Sequence, residues 1–262
     1  MATVADILAF LETVAPPYMK EDWDHVGLNC GRSTQTVHSI LVALDPFASV
    51  CQEAREIGAD LLVTHHALIW TPDFVNDSSE WGRNALFLIE NGIACINAHT
   101  NLDCAPGGVN DVLAETLGLT DIQVITPVGT DAQGAPYGLL RSGSVPEQDL
   151  PSFLAQVKTR LGCRGLRYVD GGRAVSRVAV GGGSCAGGMQ EAALAGCDTF
   201  VTADVKYNQF FEARELGINL IDAGHFHTEN PVIAVLAAKL AAAFPDISVK
   251  ISQKHTDCMN FF

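Results

Sequence analysis

The chain has 262 residues, 48% of them hydrophobic, 18% charged, and a formal net charge of −14. That length holds one large domain or two modest ones with real cores. The acidic balance, without any dense Lys/Arg cluster, excludes a generic nucleic-acid binder, because neutralising phosphates takes cations.

Residues 4–14 have the spacing of an amphipathic helix, stopped by Pro16-Pro17. The first fifteen or so residues carry no basic leader, and no apolar run reaches the roughly 18 residues of a membrane helix. A cytoplasmic protein without membrane contact is therefore expected. Downstream, 39–44 reads as a strand, 49–57 as a helix closed by Gly58, and 60–64 as a strand. Next come a helix over 84–90 closed by Asn91-Gly92, a strand over 94–98, and a helix over 109–117 closed by Gly118. After Pro127 the pattern restarts, with a strand over 137–142, a helix over 150–161 and a strand over 175–180. The turn 181–188 leads to a helix over 189–195, a strand over 199–202 and a helix over 209–216 closed by Gly217. A strand over 219–223, a helix over 231–244 and a strand over 247–251 complete the chain.

The restart echoes the first half. Gln52-Glu53-Ala54, Gly58, Asp60 and Val63-Thr64 recur as Gln190-Glu191-Ala192, Gly196, Asp198 and Val201-Thr202 at one constant offset. Gly92-Ile93 and Ala98 recur as Gly217-Ile218 and Ala223, the change of offset being absorbed by a longer loop after His66. The expected fold is α/β, built of two related α/β halves, 1–128 and 129–262, with the C-terminal helix and strand able to pack back on the first half. Ligands in open α/β sheets bind beyond the carboxyl ends of strands.

Three segments at such ends carry imidazoles and carboxylates. They are His65-His66 after Leu61-Leu62-Val63-Thr64, His99 to Asp103, and Gly224-His225-Phe226-His227-Thr228-Glu229. Adjacent histidines on an extended chain point to opposite sides, so two ions about 3.5–4 Å apart could each take one. His225 and Glu229 share a face if a helix begins at His225. Mixed imidazole and carboxylate donors suit Zn, Fe, Mn or Ni rather than Ca or Mg. His99 fits a ligand, a group that orients a ligand, or a general base, with the last two favoured. His227 reads as a solvent-facing neighbour, and His25, His38 and His255 as ordinary surface or loop histidines.

The run from Gly181 to Gly188 matches a relaxed dinucleotide fingerprint, G-x-G-x-x-A, but no acidic residue ends a following strand at the required distance. Close helix–strand packing or an anion contact fits it better. Asp204-Val205-Lys206-Tyr207 occupies the counterpart of the His65-His66 region. Lys206 there fits an anion anchor or a salt bridge to Asp204. The eight cysteines are scattered without a C-x-x-C pair and read as reduced and mostly buried.

Several runs resemble those of the Nif-three-like dinuclear metal-centre family, whose members are also called GTP cyclohydrolase I type 2 homologues. Trp23-Asp24-His25-Val26-Gly27-Leu28 is similar to its W-D-N-V-G-L opening, and Thr64-His65-His66-Ala67-Leu68-Ile69 to its T-H-H-P-L-I. His99-Thr100-Asn101-Leu102-Asp103 is similar to H-T-N-x-D, and Thr202-Ala203-Asp204-Val205-Lys206-Tyr207-Asn208 to T-G-D-x-K-Y-H. Asp222-Ala223-Gly224-His225-Phe226-His227-Thr228-Glu229 is similar to D-A-G-H-Y-x-T-E. His25, Ala67, Ala203 and Asn208 depart from the pattern. The resemblance implies a dinuclear site carried by His65, His66, Asp103, His225 and Glu229, with two divalent ions per chain. It also implies a homohexamer, a trimer of dimers.

The function expected is that of a metal-dependent hydrolase acting on a small substrate, nucleotide-like or a cyclic amide or amidine, through a metal-activated water. His99 is its candidate proton shuttle and Lys206 its candidate anion anchor. The alternative is a non-catalytic, hexameric metal-binding assembly or regulatory protein.

Overall fold

The computed structural model describes residues 1–70 and 75–261, so part of the longer loop expected after His66 lies outside the described residues. In chain order the first elements are α1 (Val4–Val14), β1 (Gly27–Cys30), β2 (Ser39–Ala43), α2 (Ala48–Glu56), β3 (Leu61–Thr64), α3 (Glu80–Glu90) and β4 (Ala94–Asn97). Then come α4 (Thr100–Cys104), α5 (Val109–Leu117), β5 (Thr120–Ile125), β6 (Gly129–Thr130), β7 (Pro136–Tyr137), β8 (Leu140–Gln148), α6 (Leu150–Leu161) and β9 (Arg167–Val169). The chain continues with β10 (Val175–Val180), α7 (Met189–Leu194), β11 (Thr199–Thr202), α8 (Tyr207–Leu216), β12 (Asn219–Asp222) and α9 (His225–Glu229). It ends with α10 (Pro231–Ala243) and β13 (Ser248–Ile251). None of these helices is long and apolar enough to cross a membrane.

Two compact units result, Met1–Leu102 with Ile233–Thr256, and Asp103–Val232 with Asp257–Phe262. In the first unit a sheet runs in the order β1-β4-β3-β2-β13. Its β2, β3 and β4 are parallel, and β13 adds in parallel to β2, so the C-terminal segment completes this sheet. Leu41, Leu62 and Cys95 pack on one face with α2 and α3, while Ile40, Leu61 and Ile96 are equally buried on the other. Burial of both faces explains why these strands read as continuous apolar runs.

The second unit's sheet runs β5-β8-β10-β11-β12-β9. It too has a parallel centre, β10 to β11 to β12. Val178, Val180, Val201 and Ile221 enter one core and Ala179, Phe200 and Leu220 another, the period-two partition of a sheet covered on both sides.

The repeat read from the sequence is also a repeat of hydrogen bonds. Asp60 N–H donates to the Ser39 carbonyl at 2.9 Å, and its carboxylate accepts from His38 N (2.8 Å) and Ser39 N (3.1 Å). Asp198 repeats both, donating to Arg177 O at 2.9 Å and accepting from Ser176 N (3.0 Å) and Arg177 N (2.8 Å). Ala98 N donates to Thr64 O at 3.0 Å, and Ala223 N to Thr202 O at 2.9 Å. The paired aspartates thus secure the strand starts, while chemistry is left to the opposite ends.

The predicted spans 4–14, 109–117, 150–161, 175–180 and 199–202 coincide with observed elements. The antiparallel edge strands β1, β5 and β9 and the hairpin β6–β7 were not expected. The strand expected over 137–142 starts later and runs on as β8. The predicted span stops at Ser142 because Gly143-Ser144, which continue the strand, carry no apolar side chain. Helix α3 begins earlier than expected because Ser79 caps it, its hydroxyl accepting from Gly82 N at 3.1 Å.

Buried Glu53 on α2 ties down the segment after β13. Its carboxylate accepts from the Ser252 hydroxyl, Gln253 N (2.8 Å) and Lys254 N (3.1 Å). Burial pushes its pKa up, but these donors outweigh burial and hold it below the usual Glu value. A depressed folded-state pKa contributes stability above the unfolded value and loses it as pH falls through the folded one. Glu53→Gln is therefore expected to destabilise by about 1–2 kcal/mol at neutral pH, with the gap to wild type closing below about pH 4. Urea unfolding of both proteins at the two pH values measures this. A gap that persists unchanged in acid would assign the effect to packing rather than charge.

Candidate metal centre

In the first unit, parallel β3 and β4 bring His65, His66 and His99 to one sheet end. The chain does not stay extended after Thr64. The Thr64 hydroxyl donates to His66 O at 2.8 Å and His66 N to Leu44 O at 2.9 Å, which bends residues 65–66. The two rings therefore do not point to opposite sides, as an extended chain would require. Their centroids lie 4.9 Å apart, with His99 at 5.2 Å from His65 and 5.6 Å from His66. Each of the three rings offers a nitrogen within 4.8 Å of the others.

The rings are held from behind. His65 Nδ1 is 2.8 Å from Ala98 O, and a carbonyl can only accept, so Nδ1 carries the proton. His66 Nδ1 meets Asp45 Oδ1 at 2.6 Å, and His99 Nδ1 lies 3.0 Å from Asp24 Oδ2. Asp24 also accepts from Thr100 N (3.0 Å) and Thr100 Oγ1 (2.6 Å), fixing the start of α4. Burial pushes Asp24 up, but His99 and Thr100 hold it well below the usual carboxylate range. Asp45 is likewise raised by burial and lowered further by His255 and His66.

In the second unit α9 begins at His225, so the i,i+4 pair meets, with His225 Nε2 3.0 Å from Glu229 Oε2. His225 Nδ1 is 2.7 Å from Asp204 Oδ2. Asp204 adopts a left-handed backbone (φ 51°), uncommon outside glycine, at the position where its carboxylate reaches this ring. Burial lowers the His225 pKa, but the Asp204 and Glu229 carboxylates raise it more, to about 10. Asp103, on α4, offers a carboxylate oxygen within 4.8 Å of one from Glu229. Buried Asn110 joins these ligands, its Nδ2 donating to Asp103 O (3.1 Å) and its Oδ1 accepting from Gly182 N (2.7 Å).

The Gly181–Gly188 loop spends its N–H groups inside the protein. Gly182 N goes to Asn110 and Gly183 N to Thr228 Oγ1 (3.0 Å). A Cβ on Gly183 would lie 2.0 Å from Glu229 Oε1. Close packing under α9, rather than an anion contact, accounts for Gly182 and Gly183.

Lys206 is exposed at the start of α8, where its backbone N donates to Gln209 Oε1 at 2.8 Å. Asp204, its alternative salt-bridge partner, goes to His225 instead. His227 is not solvent-facing, since its ring lies between Leu161 O (3.2 Å) and Asp257 Oδ2 (3.1 Å). Nor is His255 a surface residue. It is buried, with Nε2 3.4 Å from Asp45 Oδ2. His25 and His38 are exposed as expected, and all eight cysteines are free.

Sequence reasoning missed Asp24, Asp45 and Asn110 and gave Asp204 another role. Asp45 and Asp204 do follow strands β2 and β11 by two residues, a position that could have suggested them. The donor chemistry fits divalent transition metals. Each unit offers nitrogen and oxygen donors of the type such ions take, and His65, His66 and His225 each have Nδ1 engaged behind, so that Nε2 would be the atom offered to an ion.

The comparisons with known proteins cover the whole chain. A family described as Duf34/NIF3 (NGG1p interacting factor 3) matches residues 2–258. A Clostridium perfringens protein named GTP cyclohydrolase 1 type 2 homolog is 33% identical over 262 residues, spanning 98% of each chain. The fold superposes on a Bacillus cereus protein related to NIF3 with a TM-score of 0.93 at 24% identity, covering 100% of this chain and 99% of that one. A Staphylococcus aureus hypothetical protein gives a TM-score of 0.91 at 29% identity, covering 99% of each.

Proposed function

Since the chain belongs to the Duf34/NIF3 family, we propose that it binds two divalent metal ions through His65, His66, Asp103, His225 and Glu229 and uses them to hydrolyse a small substrate. The observation that carries this reading is the shared tethering of His65, His66 and His225 through Nδ1, to a carbonyl or a carboxylate. Ring orientation and tautomer are then set before an ion arrives, as in carboxylate–histidine–metal arrangements. Zn, Fe, Mn and Ni all suit the donors.

When bound, the ions supply Lewis-acid polarisation of a carbonyl, imine or phosphoryl group and lower the pKa of water. The chain's own residues do the rest. His99, with Nδ1 against Asp24, carries a proton at its other nitrogen. Lys206 supplies a cation for an anionic substrate group. Asp45 and Asp204 keep His66 and His225 aligned throughout. The homohexamer implied by the family resemblance, and a cytoplasmic location, belong to the same proposal.

Metal analysis after reloading is expected to give about two ions per chain, with at least one lost in both His66→Ala and Glu229→Ala. Fewer than about one ion in wild type would refute the metal reading. Metal-loaded protein screened against nucleotide, cyclic-amide and phosphoester panels should show turnover that disappears in His65→Ala and Glu229→Ala. Stoichiometric metal without turnover across the panel would point instead to a metal-binding assembly or regulatory protein.

A further inference from the structure

A cavity of about 200 Å³ in the first unit borders His66. Its walls include Phe47, Trp70, Trp81, Asp45 and Asn84. Two of the three aromatics are exposed, Phe47 at 45% and Trp70 at 47%. Apolar rings left in solvent beside a polar cluster mark a surface that receives something. Trp70 is shared with the histidine cluster, its ring centroid 4.9 Å from His99 and 5.9 Å from His66. Trp23 packs edge-on to His99 from elsewhere in the chain, at 5.9 Å. All three tryptophans of the chain therefore lie around these histidines or line this cavity.

Besides His66 and the tryptophan N–H groups, the polar side chains of the cavity wall present oxygen acceptors. Asn84 is buried and its Nδ2 donates to Pro46 O at 3.1 Å, which leaves the amide oxygen as its acceptor. Asp45 and Glu80 add carboxylates, and no Lys or Arg among the described residues lines the cavity. Aromatic faces with hydrogen-bond acceptors between them select a flat ring that carries N–H donors on its edge, and they repel an anion. The volume admits one or two fused rings, well short of a drug-sized ligand.

We propose that this cavity is a binding site for a planar nitrogen heterocycle with N–H donors, held against the Phe47 and Trp70 rings and hydrogen-bonded to Asn84. His66 in its wall places that ring next to the proposed ions, so the assignment of the ring as the substrate's recognised part rests on the metal reading. Ring binding itself does not.

Calorimetric and tryptophan-fluorescence titrations with 2-aminopyrimidine, cytosine and adenine test this, on metal-stripped and metal-loaded protein separately, with benzoate as the anionic control. Saturable binding of at least one amino heterocycle, with tryptophan quenching, is expected in both forms, and none for benzoate. Phe47→Ala and Trp70→Ala, whose side chains are nearly half exposed and leave the core intact, should weaken binding about tenfold, the scale of one lost stacking contact. Asn84→Leu should weaken amino heterocycles and not a donor-free ring such as pyridazine. No saturable binding up to millimolar ligand, or affinities unmoved by Phe47→Ala and Trp70→Ala, would overturn the site. So would benzoate binding as tightly as the amines. Ring binding without stoichiometric metal would leave the cavity standing while the metal reading fell; metal binding without ring binding would do the reverse.

Discussion

Arg141→Met is expected to destabilise the protein by about 3–5 kcal/mol, the range for a buried charge partner removed from its pair. For a chain of this size that corresponds to a fall of roughly 6–20 °C in Tm. Arg141 is 1% exposed, near the start of β8, with a strand on either side of β8 in the sheet. Its Nε lies 2.5 Å from Asp111 Oδ1 and its Nη2 3.3 Å from Asp111 Oδ2. The remaining donors reach Gly138 O (2.6 Å), Leu140 O (3.4 Å), Cys104 O (3.1 Å) and Ala105 O (3.3 Å). Met matches the aliphatic stem but abandons one carboxylate and four carbonyls at once, and buried acceptors without donors are expensive. Cys104 and Ala105 directly follow Asp103, so the same variant should also loosen that ligand and reduce metal retention. Calorimetry of Arg141→Met, Asp111→Leu and the double variant checks the cause. The double variant should be less destabilised than the sum of the singles, because it leaves no charge stranded. Strict additivity, or a loss under about 1 kcal/mol for Arg141→Met, would contradict an ion-pair origin.

The strand that carries Arg141 also shows where sequence reading of the fold succeeds and fails. Strands β2, β3, β10 and β11 were legible because both sheet faces are buried and each strand contains a run of apolar side chains. The helices α1, α5 and α6 were legible from periodicity and from terminal Pro or Gly. Strand β8 was read only in part, the predicted span ending at Ser142, because Gly143-Ser144 carry no apolar side chain to mark the strand's continuation to Gln148. The edge strands β1, β5 and β9 are only partly buried and carry no continuous apolar signal. Their pairing is decided by neighbours distant in sequence.

The histidines and carboxylates of the site were visible because they sit just past apolar runs, and repetition of the strand pattern put those runs at equivalent ends. Orientation was not visible. Opposite-facing His65 and His66 followed from an extended chain, but the Thr64 hydroxyl bends that chain, and one side-chain hydrogen bond outweighs the alternation of a strand that has already ended. The residues that aim the rings were hidden for a related reason. Asp45 and Asp204 lie twenty-one residues from the histidines they hold. Asp204 stands where the first half has His66, so one repeat position supplies an imidazole in one unit and the carboxylate that aims an imidazole in the other.

Gly183→Ala should lower metal affinity about a hundredfold, the upper end of what losing a ligand-orienting contact does. The residue has φ +62°, a left-handed backbone that costs a side-chain-bearing residue about 1–2 kcal/mol. Strain alone would leave the site intact; the collision would not. The new methyl would lie 2.0 Å from Glu229 Oε1 and 3.1 Å from His225 Nε2. The backbone cannot retreat easily, because Gly183 N donates to Thr228 Oγ1 on α9 and Gly183 O accepts from Ala203 N beyond β11 (both 3.0 Å). Glu229 must therefore swing away, taking one ligand out of place and removing the carboxylate that pairs with His225. The same loop supplies its own controls. A Cβ on Gly182 meets Val109 at 3.1 Å and Glu229 Cγ at 3.3 Å, contacts that small shifts can absorb, so Gly182→Ala should fall between the extremes. Gly187 has nothing within 4 Å, and Gly187→Ala should bind metal as wild type does. Competition titration against a chromophoric chelator ranks the three, while circular dichroism confirms that each is folded. Equal affinities for Gly183→Ala and Gly187→Ala would mean that the glycine run does not shape the site. The graded order would instead make the run that resembles a nucleotide cradle a floor for Glu229, kept bare so that the carboxylate can lie on it.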